Sequence, residues 1–452
     1  MGMLNEVGHL DLQDTVVPAQ VQSELIPVHV VFRIGPGQAS VGRYEFNGRT
    51  DGQEKAPAGG MNIVDREGSG AMTTIAILGS GIMGSALSVP LADNGHDVRL
   101  VGTFLDTEII ASIKATGIHP GLRRKLPESV RAYQLEEAET AFDGAEIVLS
   151  GVNSFGVRWA GQQLARLLKP GMLVIAIAKG MEAAENGDLR ILPEVLAEEV
   201  PEDLRSQIPW AAIGGPSIAG EVAARRDTCV VFAGRDQAVL DRLAETFRTD
   251  HYHLWTSTDF VGVEVCAAMK NCYALSVGFA EGVLERLGEA DSIDRMHNYE
   301  AALFGQGAVE MGQMLRLQDG RPETAYGLAG VGDMYVTSAG GRNVRVGRLI
   351  GAGMTFSEAH AKLGHITLEG AAAIRVIGGA LPKLTERGVV EPTDFPLLRA
   401  LYEVIGQDKP LRIPWGSMFG GEPVPAGTAA PEAEPVPSSE DERAAELAHE
   451  PD

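Results

Sequence analysis

Only three cysteines, Cys229, Cys266 and Cys272, occur in 452 residues. They form no C-x-x-C pair and no even framework, and each lies in an apolar stretch. This excludes a disulfide-stapled secreted scaffold and predicts reduced thiols in a cytoplasmic protein. Positive charge is scarce as well: 38 Lys and Arg stand against 61 Asp and Glu, a net charge of −23. That balance argues against a nucleic-acid binder. No apolar run approaches the roughly 20 residues of a membrane span, and no basic segment leads into an apolar one as in a secretory signal. The ten His form no H-x-H or H-E-x-x-H array, so no metal is expected.

The acidic charge is uneven. Residues 421–452 carry nine acidic residues and one Arg, and residues 1–71 carry nine against five basic ones. Residues 1–71 are rich in Gly and polar residues, with one apolar run, "LIPVHVVFRI", and read as a mostly disordered extension. The Pro-, Ala- and Glu-rich stretch 416–452 reads as a disordered tail. The middle stays net acidic, so any anion it binds must be held by local donors.

That middle alternates. "TTIAIL", "DVRLV", "AEIVLSGV", "MLVIAIA", "PWAAIGG" and "TCVVFAG" read as strands separated by helical segments such as "VRWAGQQLARLLK". Such alternation predicts a parallel, doubly wound sheet over 72–258. From 259 to about 415 the strand signal stops and helices remain.

The first strand runs into "AILGSGIMGSAL", which holds Gly79, Gly81 and Gly84 as G-x-G-x-x-G between a strand and a helix. In that context the motif is a dinucleotide fingerprint. Gly79 permits the tight turn, Gly81 admits a pyrophosphate to the backbone, and Gly84 lets helix and strand pack closely. The second strand ends "LVGTFLD", with Thr103 where an acidic residue would take a ribose hydroxyl and with no Arg to hold a 2′-phosphate. The reading leans to NAD, with NADP as the alternative.

"GVEVCAAMKNCYALSVGF", residues 262–279, places Lys270 and Asn271 inside an apolar run. On helical spacing Lys270 shares a face with Val263, Cys266, Ala267, Ala274 and Val277. A lysine there either snorkels from the edge of a core helix or is held for chemistry.

From Thr74 to Gly406 the chain resembles the NAD(P)-dependent glycerol-3-phosphate dehydrogenases. The likeness rests on "AKGME" (178–182), "GGPSIAGEV" (214–222), "AAMKN" (267–271), "GLAGVGDMYVT" (327–337) and "GGRNVRVG" (340–347), in the family's order. It implies an α/β Rossmann-type doubly wound parallel sheet followed by an all-α C-terminal domain. It also implies a homodimer and a phosphorylated small-molecule substrate.

The resemblance assigns roles. Lys270 is the acid/base, with Lys179 and Asp333 beside it. Lys179, Gly215, Ser217, Asn271, Asp333, Thr337, Gly341, Arg342 and Asn343 hold the substrate. Gly79, Ser80, Gly81, Ile82, Met83, Gly84, Thr103, Lys179, Ala219, Arg342 and Glu369 contact the cofactor. Three of these have plainer readings: Lys179 as a loop lysine, Asp333 as a helix cap and Glu369 as a surface glutamate. The match frays at Asn153, where the family usually has Pro, at Gly305 and Gln306, where it often has Thr-Arg, and at Thr103. A 2-hydroxyacid or ketopantoate-type reductase is the rival enzyme. A nicotinamide-nucleotide sensor without turnover is the rival from another class.

Overall fold

The structure is a computed structural model that describes residues 28–33, 39–44, 72–291, 293 and 295–420. Within 1–71 it describes two paired strands. Strand Val28–Arg33, inside the apolar run, pairs antiparallel with Ala39–Tyr44, with Val28 opposite Tyr44. The rest of the expected disorder in 1–71, and the tail beyond 420, lie outside the described residues. The expected tail begins too early at 416: Trp415–Phe419 is a helix, and the Trp415 ring meets Tyr299 edge-on at 5.1 Å.

The main sheet has eight strands: β1 Thr74–Leu78, β2 Asp97–Val101, β3 Arg131–Tyr133, β4 Ile147–Ser150, β5 Leu173–Ala176, β6 Trp210–Gly214, β7 Thr228–Gly234 and β8 Tyr252–Ser257. Their spatial order is β8-β7-β6-β5-β4-β1-β2-β3. The order reverses between β1 and β4, so the crevice at their carboxyl ends is where such sheets bind ligands. The central strands read as unbroken apolar runs because helices cover both faces. Ile75, for instance, lies between Val98 and Ile147 and is fully buried.

Two points differ from the sequence reading. The three-residue strand β3 and the six-residue strand β8 were not expected. The sheet is also not wholly parallel: β7 runs antiparallel to β6, and β8 is parallel to β7. The link from β6 to β7 holds only the five-residue helix Ala219–Ala223, too short to carry the chain back along the sheet.

The helices that place the site are α1 Ile82–Asp93, α2 Phe260–Val277, α3 Phe279–Leu287, α4 His297–Leu317, α5 Asp333–Ser338, α6 Arg342–Gly351, α7 Glu369–Ala373 and α8 Pro396–Gly406. The lysine helix α2 is the axis of the helical region. It is buried all round from Gly262 to Ser276, rather than along one face. The stretch Phe260–Leu287 does reach the length and apolarity of a membrane span, contrary to the sequence reading, and 89% of that window is buried inside the protein. Neighbouring helices approach it at glycines. A Cβ on Gly347 would lie 2.1 Å from the Leu275 carbonyl oxygen, and one on Gly370 2.5 Å from that of Asn271.

Glu310 on α4 fastens this bundle. Its buried carboxylate accepts from Tyr273 Oη (3.0 Å), Gln306 Nε2 (3.0 Å) and the Leu397 and Leu398 backbone N–H groups (2.7 and 2.9 Å). An acidic group at the N-terminus of α8 also suits that helix dipole. Gln306, one of the departures from the family pattern, therefore has a local structural task.

Candidate active site

The glycine-rich turn follows β1 and opens α1. Gly79 has φ +114°, and a Cβ there would lie 2.8 Å from the Gly151 carbonyl carbon. A Cβ on Gly84 would lie 2.3 Å from the Gly79 carbonyl oxygen. Around Gly81 a Cβ would meet nothing within 4 Å. The first two glycines thus answer to the protein itself, and the third borders open space at the N-terminus of a twelve-residue helix. Free N–H groups and the helix dipole favour a phosphate there. These residues fit a dinucleotide.

Substitutions at the two sites should separate. We expect Gly84→Ala to lower stability by roughly 1–3 kcal/mol, since its neighbour is backbone and cannot yield. Gly81→Ala should keep the wild-type melting temperature and weaken dinucleotide binding. Thermal melts and cofactor titrations of both variants check this.

The turn is clamped at Ser80 by residues that sequence reading did not assign. Asp106 Oδ2 accepts from Ser80 N (3.2 Å), Thr103 N (2.9 Å) and Thr103 Oγ1 (2.9 Å). The Ser80 carbonyl accepts from Ser85 Oγ (3.1 Å) and lies 2.9 Å from His119 Nε2. His119 Nδ1 accepts from Leu122 N (3.0 Å), so the ring proton sits on Nε2 and is donated to Ser80. Ser80 is fully buried and offers its peptide rather than its side chain. Thr103 spends its hydroxyl on Asp106. Asn153 accepts from the Phe155 and Gly156 N–H groups (3.1 and 3.2 Å) and so caps the turn where the family usually has Pro.

Across the crevice three charged groups meet. Lys179 follows β5, and Gly180 (φ +149°) turns the chain behind it. Lys179 Nζ donates to the Gly215 carbonyl (3.1 Å) and to Asp333 Oδ2 (2.8 Å). Lys270 Nζ donates to Asp333 Oδ1. One carboxylate therefore holds two ammonium groups. Lys270 is 7% exposed and Asp333 1%. Lys270 does not snorkel to water; its amine ends on a buried acid. Asp333 does not cap its helix either. "GLAGVG" forms a π-helical turn, Leu328–Gly332, which delivers Asp333 as the first residue of α5.

Burial, and then the nearby Lys179 charge, pull the Lys270 amine down to about 7 against the opposing effect of Asp333. Burial also pulls on Lys179, but Asp333 outweighs it and Lys179 ends above its ordinary value. The two lysines are thus unequal: one is a fixed cation and the other titrates near neutrality. Glu369, at the start of α7, adds its charge to Lys179.

The remaining expected residues fall around this group with different degrees of freedom. Asn343 Nδ2 donates to Asn271 Oδ1 (3.2 Å), and Asn343 Oδ1 accepts from Gly370 N (3.2 Å). Asn343 is therefore largely a tie between α2, α6 and α7. Thr337 Oγ1 donates to the Asp333 carbonyl (2.7 Å). Ser217 Oγ lies 3.7 Å from Met83 Sδ and so borders the dinucleotide turn. Ala219 opens the short helix after β6, and Ile82 is half exposed at the start of α1. Gly341 (φ +102°) precedes Arg342, which is exposed. No hydrogen bond or ion pair engages the Arg342 guanidinium among the described residues, so it is available to an anion. Sequence reading also passed over Glu264, a carboxyl buried on α2 itself.

Comparison with known proteins gives a consistent answer. Residues 74–240 match the N-terminal part, and residues 259–413 the C-terminal part, of the family described as NAD-dependent glycerol-3-phosphate dehydrogenase. The NADP(+)-dependent glycerol-3-phosphate dehydrogenase of Archaeoglobus fulgidus is 37% identical over 289 residues, 64% of this chain and 83% of that one. The glycerol-3-phosphate dehydrogenase [NAD(P)+] of Bacillus cereus is 33% identical over 353 residues, 77% of this chain and 96% of that one. The crystal structure of glycerol-3-phosphate dehydrogenase from Coxiella burnetii superposes with a TM-score of 0.62 at 29% identity, covering 77% of this chain and 98% of that one. With both halves matched in order and the sheet, turn and helical region in place, this chain belongs to the NAD-dependent glycerol-3-phosphate dehydrogenase family.

Proposed function

We propose that the protein interconverts dihydroxyacetone phosphate and sn-glycerol 3-phosphate with NAD(H) or NADP(H), and that Lys270 is its acid/base. The observation that carries the reading is the buried Lys179–Asp333–Lys270 group facing a dinucleotide turn. When bound, the nicotinamide supplies the hydride for reduction and takes it in oxidation. In reduction Lys270 donates a proton from Nζ to the oxygen that becomes the hydroxyl, and in oxidation its neutral amine takes that proton. Lys179, which keeps its charge, steadies negative charge on the same oxygen. Asn271 and the exposed Arg342 hold the phosphate. We take 72–258 as the cofactor domain and 259–415 as the substrate domain. The unpaired thiols Cys229, Cys266 and Cys272 support a cytoplasmic setting.

Oxidation of the reduced cofactor on adding dihydroxyacetone phosphate, with ketopantoate and a blank alongside, tests the reading. Turnover of ketopantoate alone would favour the rival reductase. We expect Arg342→Ala to raise KM for dihydroxyacetone phosphate roughly tenfold or more, the cost of a charge-assisted contact, with less effect on kcat. An unmoved KM would place the phosphate elsewhere. We also expect kcat/KM with NADH at least equal to that with NADPH, because no Lys or Arg follows β2 before Asp106. A tenfold preference for NADPH would overturn this.

A further inference from the structure

Glu264 is a carboxyl that the proposed chemistry leaves unused. It is 1% exposed, and its Oε2 has no hydrogen-bond partner. A buried polar atom without a partner is costly and calls for a reason. On α2 it shares a helical stripe with Ala268 and Asn271, four and seven residues on. Its neighbour Val263 packs against the end of β6, where a Cβ on Gly214 would lie 2.4 Å from Val263 Cγ1. The next residue, Gly215, is the one whose carbonyl anchors Lys179. Glu264 thus follows the residue of α2 that meets the strand end anchoring Lys179, and the Lys179 charge acts on it. Two of the three Lys179 N–H donors are spent on Gly215 and Asp333, and one remains.

The charged groups around Glu264 are few. Lys179 is the one whose charge acts on it. Asp333, Lys270 and Glu369 in turn act on Lys179. Asp259, at the start of α2, is occupied by Gly262 N, Arg321 N and Thr324 Oγ1. Glu310 is occupied at α8. Arg190, on the strand Leu189–Ile191 beside α2, is paired with Glu182 and Glu198. On α6, Arg342 is exposed. Strands β6 and β7 carry no charge where they pack on α2.

We propose that Glu264 is a positioning residue for the lysine pair. Uncharged, it leaves Lys179 on Asp333; ionised, it competes for Lys179 and frees Asp333 to hold a proton on Lys270. Its ionisation would therefore slow oxidation of sn-glycerol 3-phosphate at alkaline pH, where Lys270 must be neutral. Burial, partly offset by Lys179, pushes the Glu264 carboxyl up to about 8, so the uncharged form prevails at neutral pH.

This rests on the functional reading above, and the test separates the two. The rate of sn-glycerol 3-phosphate oxidation is measured on either side of pH 8 in wild type, Glu264→Gln and Glu264→Met. The ratio of alkaline to neutral rate should be several-fold lower in wild type than in either variant, in which only the rise from Lys270 deprotonation remains. The Met variant serves if Gln does not fold. A second readout needs no turnover. A carboxyl raised from 4.5 to about 8 stabilises the fold fully below 4.5 and loses that contribution as pH rises to about 8. Relative to wild type, the melting temperature of Glu264→Gln should therefore climb between pH 5 and 8. Equal rate ratios in all three proteins, or a melting difference independent of pH, would overturn the proposal while leaving the enzyme reading intact. A wild type that does not oxidise sn-glycerol 3-phosphate would overturn both.

Discussion

Replacing Lys270 with alanine should lower kcat by about 10²–10⁴, the range of a positioned acid–base group, with cofactor binding and melting temperature near wild type. The dinucleotide turn lies across the crevice and makes no use of Lys270. The fold should hold because the substitution strands no charge: Asp333 keeps its bond to Lys179 (2.8 Å). The pH dependence follows from an amine drawn down to about 7. Reduction needs the ammonium, so its rate should fall as pH rises through about 7. Oxidation needs the free amine, so its rate should rise over the same interval. Both limbs should vanish in Lys270→Ala. If the lysine served only packing, alanine would cost little rate and would relieve a buried cation. A steady-state rate within threefold of wild type would remove Lys270 from the mechanism.

Much of this site was legible because its reasons are local. The three glycines of the turn sit at a fixed spacing between a strand and a helix, although Gly79 packs on the distant Gly151, and Lys270 stood out as the one cation in an apolar run. What sequence could not reach was long-range pairing. Asp106 and His119 clamp Ser80 from 26 and 39 residues away, and nothing in "GTFLD" or "IHPGL" announces it. The antiparallel turn between β6 and β7 was hidden because a strand's direction depends on its connection and not on its composition. Asp333 was ambiguous from sequence, since an Asp before an apolar helical segment is also an ordinary cap; only the π-helical turn aims it at two lysines. Glu264 was missed although the signal that marked Lys270 applied equally, a charge-bearing group inside the same buried run.

The sharpest test of the group is its shared acid. Asp333→Ala should cost stability as well as rate, unlike Lys270→Ala. Removing one partner of a buried ion pair costs about 3–5 kcal/mol, because the other charge stays behind unpaired. Here two buried amines stay behind without their acid, and each disfavours the other's charge. Lys270 is already lowered by burial and by Lys179, and Asp333 is what opposes them. Without Asp333 the amine should lose its proton below pH 7. Reduction at neutral pH should then be slowed through loss of the donor, and the acid limb of oxidation should move to lower pH. Asp333→Asn separates charge from shape, since it keeps the volume and a carbonyl acceptor for one lysine. We expect it to recover most of the lost stability, read as a denaturant midpoint, and to keep the shifted pH profile. If the oxidation limb in Asp333→Asn coincides with that of wild type, Asp333 does not set the proton affinity of Lys270, and the two lysines would have to be distinguished by burial alone.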